Sequence, residues 1–263
     1  MTGPRLDSRT QEFYEAEALR YPVIHARPIQ RYSAEFERDL FAGHIPPDAL
    51  CLDVGCGEGR TARALAQQPM RCIIGLDFSV EMLRVARASN ATVNVHYCAG
   101  DAMGLPFADG TFDVVVAVTT LNNVPDLSRS LQEMARVLRP GGTIVLLVIN
   151  RHELAAVFRF LYYLPFYAYR WIAGGKRYHS QTFSATELRK ALPSNLAVAS
   201  FQGMRMLPDM LPEWPLNFYP YFFPSLTRVL RLLAPFDRWL CRHPRFGRLA
   251  RFHFVAARKG VDA

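Results

Sequence analysis

Leu50-Cys51-Leu52-Asp53-Val54-Gly55-Cys56-Gly57-Glu58-Gly59 restricts this chain more than any other ten residues. An apolar strand runs into a loop with glycine at every second position, and a helical pattern follows from Arg60 to Ala66. The next apolar run, Cys72-Ile73-Ile74-Gly75-Leu76, closes on Asp77. A strand, a glycine turn, a helix and an acid about 20 residues further on are how a parallel sheet holds a nucleoside-containing cofactor at its edge. Gly55 and Gly57 suit the sharp strand-to-helix turn, and Gly59 suits the helix start.

The spacing is D-x-G-x-G-x-G, whereas dinucleotide binders use G-x-G-x-x-G. Asp53 stands two residues before the first glycine, inside the approach zone of a cofactor. A carboxylate there repels a pyrophosphate and attracts, directly or through water, a positively charged group that carries no phosphate. Asp77 is placed to accept hydrogen bonds from both ribose hydroxyls. No phosphate-cradling G-x-x-x-x-G-K-[ST] occurs.

Three more cues follow in order. Ala99-Gly100-Asp101-Ala102-Met103 comes after a predicted strand, Val93 to Cys98, and Asp101 can accept from an exocyclic amine. Phe112-Asp113-Val114-Val115-Val116-Ala117-Val118 reads as a β-branched strand entered through Asp109-Gly110. A helix from Leu127 to Leu138 then leads through Arg139-Pro140-Gly141-Gly142 to a strand from Thr143 to Ile149. Taken together, Leu50 to Ile149 resembles the core of a class I S-adenosylmethionine-dependent methyltransferase.

That resemblance implies an α/β fold: a doubly wound, mostly parallel seven-stranded sheet with helices on both faces, an antiparallel last strand and helical cap insertions. It implies S-adenosyl-L-methionine as cofactor. It places Gly55, Gly57 and Gly59 at the methionine part and Asp77 at the ribose, with Asp53 and Phe78 also among the cofactor contacts. Asp101 and Ala102 would meet the adenine, and Val118 and Thr119 would lie beneath the sulfonium. Gly100 to Met103, Leu105-Pro106-Phe107 and Leu121 to Asp126 are similar to the quinone-methylating branch of the family in part only.

The remaining residues divide the chain. Residues 1–45 read as a helical cover broken near Tyr21-Pro22 and Pro28, with Tyr14, Tyr21 and His25 able to touch ligand. Residues 46–149 are the cofactor core. Residues 150–178 form an aromatic helical lid, interrupted by Arg159, Pro165 and Arg170 and therefore unsuited to cross a membrane. Residues 179–263 complete the core, with Ser184 and Glu187 as a capping box, strands from Leu196 to Met206 and Leu249 to Arg258, and an insertion at 207–246. Within it, Leu226, Val229, Leu230, Leu233, Phe236 and Leu240 make one apolar stripe, with arginines on other faces.

Charge is segregated. Residues 1–150 carry 14 Lys and Arg against 17 Asp and Glu, a net −3, while residues 151–263 carry 17 against 6, a net +11. The basicity lies outside the cofactor core, in the half that selects the substrate. Aromatic walls with arginines suit a hydrophobic small-molecule or lipid-like acceptor, or an anionic membrane surface met through 154–173 and 218–242. The five cysteines show no C-x-x-C spacing, which disfavours zinc and disulfides and suits a reducing cytoplasm. No apolar leader core opens the chain, and a cytoplasmic protein, peripheral at the membrane surface, is expected.

The expected activity is methyl transfer to oxygen or carbon of that acceptor, with no resident metal and no DNA partner. A general base is required only if the acceptor starts protonated, and His152, Tyr178 and His179 beside the lid are the candidates. No Asn-Pro-Pro-Tyr or Asp-Pro-Pro-Tyr follows the fourth strand, which argues against methylation of base or amide nitrogens. An RNA methyltransferase, and a non-catalytic membrane-surface or partner-binding protein on the same fold, are the alternative readings.

Overall fold

In the computed structural model, the described residues are 8–25, 28–89, 92–157, 160, 180–210 and 224–261. One seven-stranded sheet organises them, in the order β3-β2-β1-β4-β5-β7-β6. The strands are β1 (Leu50–Val54), β2 (Cys72–Asp77), β3 (Val95–Ala99), β4 (Phe112–Val118), β5 (Leu138–Ile149), β6 (Leu196–Met204) and β7 (Phe252–Lys259). Strands β1 to β5 run parallel. Only β7 is reversed, lying antiparallel to both β5 and β6. The expected mostly parallel sheet with an antiparallel last strand is what the chain builds.

Side-chain alternation along the central strands splits the core in two. Cys51, Val114, Val116, Val145, Leu147, Phe252 and Phe254 face one layer, with Phe36, Leu40 and Phe41 of α3 (Pro28–Ala42) and Ala62 and Leu65 of α4 (Arg60–Leu65). Leu52, Val54, Val115, Ala117, Ile144, Leu146 and Val255 face the other, with Leu131 and Met134 of α6 (Leu127–Val137) and Leu188 of α7 (Ala185–Ala191). The remaining helices are α1 (Ser8–Glu17), α2 (Tyr21–His25), α5 (Val80–Ser89) and α8 (Pro224–Arg242). Ser184 and Glu187 cap α7 reciprocally, as their spacing predicts.

Several boundaries differ from the sequence reading. The third strand starts at Val95, because Val93 sits in a turn and is 92% exposed. β5 starts at Leu138, which pairs with Phe112 before a register shift, so Arg139 to Gly142 belong to the strand. β6 ends at Met204 because Arg205 turns to φ +63° and ion-pairs twice with Asp209, at 2.6 and 2.5 Å. The last strand starts at Phe252, since Gly247–Leu249 forms a 3-10 turn.

Helix α8 splits the predicted apolar stripe. Asp237, Leu240 and Cys241 are buried, while Val229, Leu233 and Phe236 are exposed. Asp237 sets that rotation. Its Oδ1 accepts from the Met206 and Leu207 backbone at 3.0 and 2.8 Å, and its Oδ2 from the Tyr32 hydroxyl at 3.0 Å.

Candidate functional site: a cofactor cleft at the carboxyl edge of the sheet

The chain order reverses at β1, which has β2 on one side and β4 on the other. Ligands of open α/β sheets bind at such switch points, outside the carboxyl ends of the strands. Here the glycine loop leaves β1 and is stitched to its neighbours. Gly55 and Cys56 N–H both donate to the Leu76 carbonyl, at 2.7 and 3.0 Å. The Thr120 hydroxyl donates to the Val54 carbonyl at 2.7 Å, which ties the segment after β4 to the same loop. Between them opens a cleft of about 860 Å³, its mouth included.

Of the ten residues read as cofactor contacts, eight line this cleft: Gly55, Gly57, Asp77, Phe78, Asp101, Ala102, Val118 and Thr119. The two exceptions have physical reasons. Asp53 is 1% exposed and points from β1 toward α4, beneath the loop. The space that a Cβ on Gly59 would take is filled by the Tyr97 hydroxyl, so this glycine serves packing, and its φ of +79° starts α4. Gly57 is the opposite case. At φ +55°, its missing Cβ faces nothing within 4 Å, so the loop presents bare backbone to the cleft.

The electrostatics are those of a cation site. Asp77 Oδ2 accepts from Gly57 N–H at 2.8 Å and Oδ1 from Ser79 N–H at 2.9 Å. Burial nevertheless lifts its pKa to about 6, against those hydrogen bonds. Burial lifts Asp53 further, to about 7, with the Arg60 charge opposing it and the Asp77 and Glu58 charges adding to it. Asp53 Oδ2 has no hydrogen-bond partner among the described residues. Arg60 lines the cleft, but Glu37 holds its guanidinium at 2.6 Å. Asp77 at the strand end and a cradle open at Gly57 fit a nucleoside, and the carboxylates of Asp77 and, beneath the loop, Asp53 favour a positive charge and oppose a pyrophosphate.

The N-terminal helices form the outer wall. Tyr14 stands edge-on to Phe78 with ring centres 5.7 Å apart, and Tyr21 meets Tyr14 at 5.9 Å. Glu15 accepts from the Val80 and Glu81 N–H groups, both at 3.0 Å, and so closes the start of α5. His25 Nδ1 meets Glu58 Oε1 at 2.9 Å. Burial pushes the Glu58 carboxyl up, but His25 and the Arg63 and Arg60 charges outweigh it and hold it below the ordinary range.

Of the three candidate bases, only His152 falls among the described residues. His152 is exposed and borders a separate cavity beside Arg189 and His253. Tyr178 and His179 lie outside the described residues. His25, expected to be able to touch ligand, lines the cleft, as do Glu58, Thr120 and Asn123, which the sequence reading did not single out as cofactor contacts. Their signals were present: Glu58 lies inside the glycine loop, and Thr120 and Asn123 follow β4 at the carboxyl edge. Among the described residues there is no group of three side chains able to hold a metal ion. No helix among them is long and apolar enough to cross a membrane.

A reversed seventh strand on a parallel sheet and a phosphate-averse nucleoside cleft define a Rossmann-like transferase core. The comparisons agree. Residues 52–146 match a family model described as a methyltransferase domain. A demethylmenaquinone methyltransferase from Shouchella clausii is 32% identical over 216 residues, 79% of this chain and 87% of that protein. The one from Bacillus licheniformis is 42% identical over 126 residues, 47% of this chain and 54% of that protein. A chain from the complex of the Haloferax volcanii Trm112 methyltransferase activator with a methyltransferase superposes with a TM-score of 0.62. It is 21% identical, and the match covers 98% of this chain and 100% of that one, so it speaks to the fold alone. The chain belongs to the class I S-adenosylmethionine-dependent methyltransferases, and S-adenosyl-L-methionine is its cofactor.

Proposed function

We propose that the protein methylates carbon or oxygen of a hydrophobic, quinone-like acceptor. The 32% identity to a demethylmenaquinone methyltransferase over most of both chains carries the reading. The aromatic wall of Tyr14, Tyr21 and Phe78 suits such an acceptor better than a polar one. When bound, S-adenosylmethionine supplies an electrophilic methyl group on a sulfonium.

The chain's own work is alignment and proton handling. Gly57 and the segment from Val118 to Asn123 shape the donor's bed, and Asp77 and Asp101 orient its nucleoside. A hydroxylated acceptor becomes a stronger nucleophile at oxygen or at ring carbon once it loses its proton. In this reading His25 takes that proton, and Glu58 holds the ring in place through Nδ1. His152 borders another cavity, which favours His25 over it. The acceptor reaches the protein from a lipid phase, met through parts of 154–173 and 218–242.

The test is incubation with methyl-labelled S-adenosylmethionine and separate lipid, RNA and protein fractions of a cell extract, beside purified demethylmenaquinol. Label in the lipid fraction and in the quinol is expected. Label in RNA alone overturns the acceptor assignment and favours RNA methylation. Donor binding without transfer to any fraction favours a non-catalytic role.

A further inference from the structure

We propose that the outward face of α8 is a docking surface for an anionic lipid bilayer. This deepens the lipid-phase part of the function above by naming the surface, and it rests on different observations.

Val229, Leu232, Leu233, Phe236 and Trp239 are all exposed, with Leu232 at 80%, Trp239 at 55% and Phe236 at 52%. At the helical rotation of about 100° per residue they fall within an arc of roughly 120°, centred on Phe236. Phe236 and Trp239 stack on each other, with ring centres 5.8 Å apart. A helix that packs on its own domain buries such a stripe. Here the buried side is held by Asp237, and the stripe is turned away from the core.

The charge around the stripe selects the occupant. Seven arginines lie between Arg228 and Arg251, against one acid, Asp237, which is buried. Arg231 and Arg238 pair with Glu35 and Asp39 of α3. Arg242, Arg245 and Arg248 have no ion pair among the described residues, and all three are exposed. An apolar arc with tryptophan and phenylalanine, bordered by arginine, is the make-up of a helix that lies in the bilayer interface. The arginines meet lipid phosphates while the arc enters the acyl boundary.

The patch also continues past the helix. Phe246 and Leu249 are exposed in the turn after α8. Leu154 N–H donates to the Leu249 carbonyl at 2.9 Å, which pins the segment carrying exposed Val157 to that turn. Docking α8 therefore brings exposed Val157 toward the lipid surface as well.

The experiment is co-sedimentation of the full chain with phosphatidylcholine vesicles, with and without phosphatidylglycerol. Binding to the mixed vesicles alone is expected, weakening with salt. Phe236→Glu and Leu232→Glu each lower the partition coefficient at least tenfold. Both residues are already solvent-facing, so both variants keep the native melting temperature and S-adenosylmethionine affinity. Equal vesicle binding by native protein and variants overturns the proposal, as does no binding by the native protein. A native dimer abolished by Phe236→Glu assigns the face to a second copy of the chain and also overturns it. Vesicle binding without quinol methylation leaves this surface standing and removes the acceptor assignment instead.

Discussion

His25 and Glu58, 33 positions apart in the chain, are joined by a 2.9 Å contact from Nδ1 to Oε1 at the cofactor cleft. Arg63 reaches the same carboxylate oxygen at 3.3 Å, so the acid stays ionised and the imidazole is aimed by a fixed charge. Tyr21 stands beside the ring at 5.4 Å, and Arg60 with Glu37 closes the far side of the acid. His25→Ala is expected to lower kcat on a hydroxylated acceptor by about 10²- to 10⁴-fold, with little change in donor KM. Glu58→Gln keeps the hydrogen bond and loses the charge, and should fall between. Chemical rescue decides: added imidazole should restore part of kcat in His25→Ala. A changed donor KM with an unmoved kcat would make His25 a packing residue.

The last two glycines of the loop, Gly57 and Gly59, are expected to fail differently. In Gly57→Ala the new methyl meets no protein atom within 4 Å and enters the donor's space. The fold should survive with about 1–2 kcal/mol of backbone strain, while donor affinity falls at least tenfold. In Gly59→Ala the methyl runs into the Tyr97 hydroxyl and comes within 3.2 Å of Ala86 Cβ. That variant should lose stability first. Calorimetric donor titration and thermal unfolding on both variants separate the two effects.

Asp77 makes donor binding acid-sensitive. Its carboxyl sits at about 6, above the ordinary 3.8, because burial penalises the charge. A raised acid binds its proton more tightly folded than unfolded. The empty protein therefore loses this group's contribution as pH rises from about 4 to 6, and the charged form carries the penalty above that window. A cationic donor with ribose hydroxyls selects the charged form. Affinity should then weaken toward tenfold per pH unit below about 6 and level off above 7. Calorimetry from pH 5 to 8 measures this, and Asp77→Asn should bind weakly with a flatter dependence.

Asp237 is expected to be the costliest single truncation of the C-terminal insertion. Asp237→Ala leaves the Tyr32 hydroxyl and the Met206 and Leu207 amides without their acceptor. At roughly 1 kcal/mol or more for each orphaned donor, the loss is about 3 kcal/mol. For a chain of this size that lowers Tm by about 6–12 °C. Scanning calorimetry checks it, and donor affinity at 20 °C should be unchanged because no contact of Asp237 reaches the cleft.

The sheet was legible where one signal dominated. Apolar runs placed β1 before Gly55, β2 up to Asp77 and β4 after Asp109-Gly110, and the antiparallel pair β6–β7 followed from the resemblance. The cleft was legible for the same reason: Asp77 and Asp101 stand at strand ends, where side chains meet the carboxyl edge. Asp53 was misplaced because proximity in sequence does not reveal which face of β1 a residue takes. Its alternation with Leu52 and Val54 sends it under α4. The rotation of α8 was illegible from hydrophobicity, since three hydrogen bonds to one buried acid outweigh the stripe. His25 was legible as a residue able to touch ligand, but its pairing with Glu58, 33 residues on, is announced by no local pattern.

Glu15 holds the first two amides of α5. The opening helix of the chain is thereby clasped to the helix that begins just beyond the ribose acid. It cannot swing aside without baring both amides, a local unfolding event of a few kcal/mol. Glu15→Ala should therefore loosen the outer wall of the cleft and speed release of the demethylated cofactor.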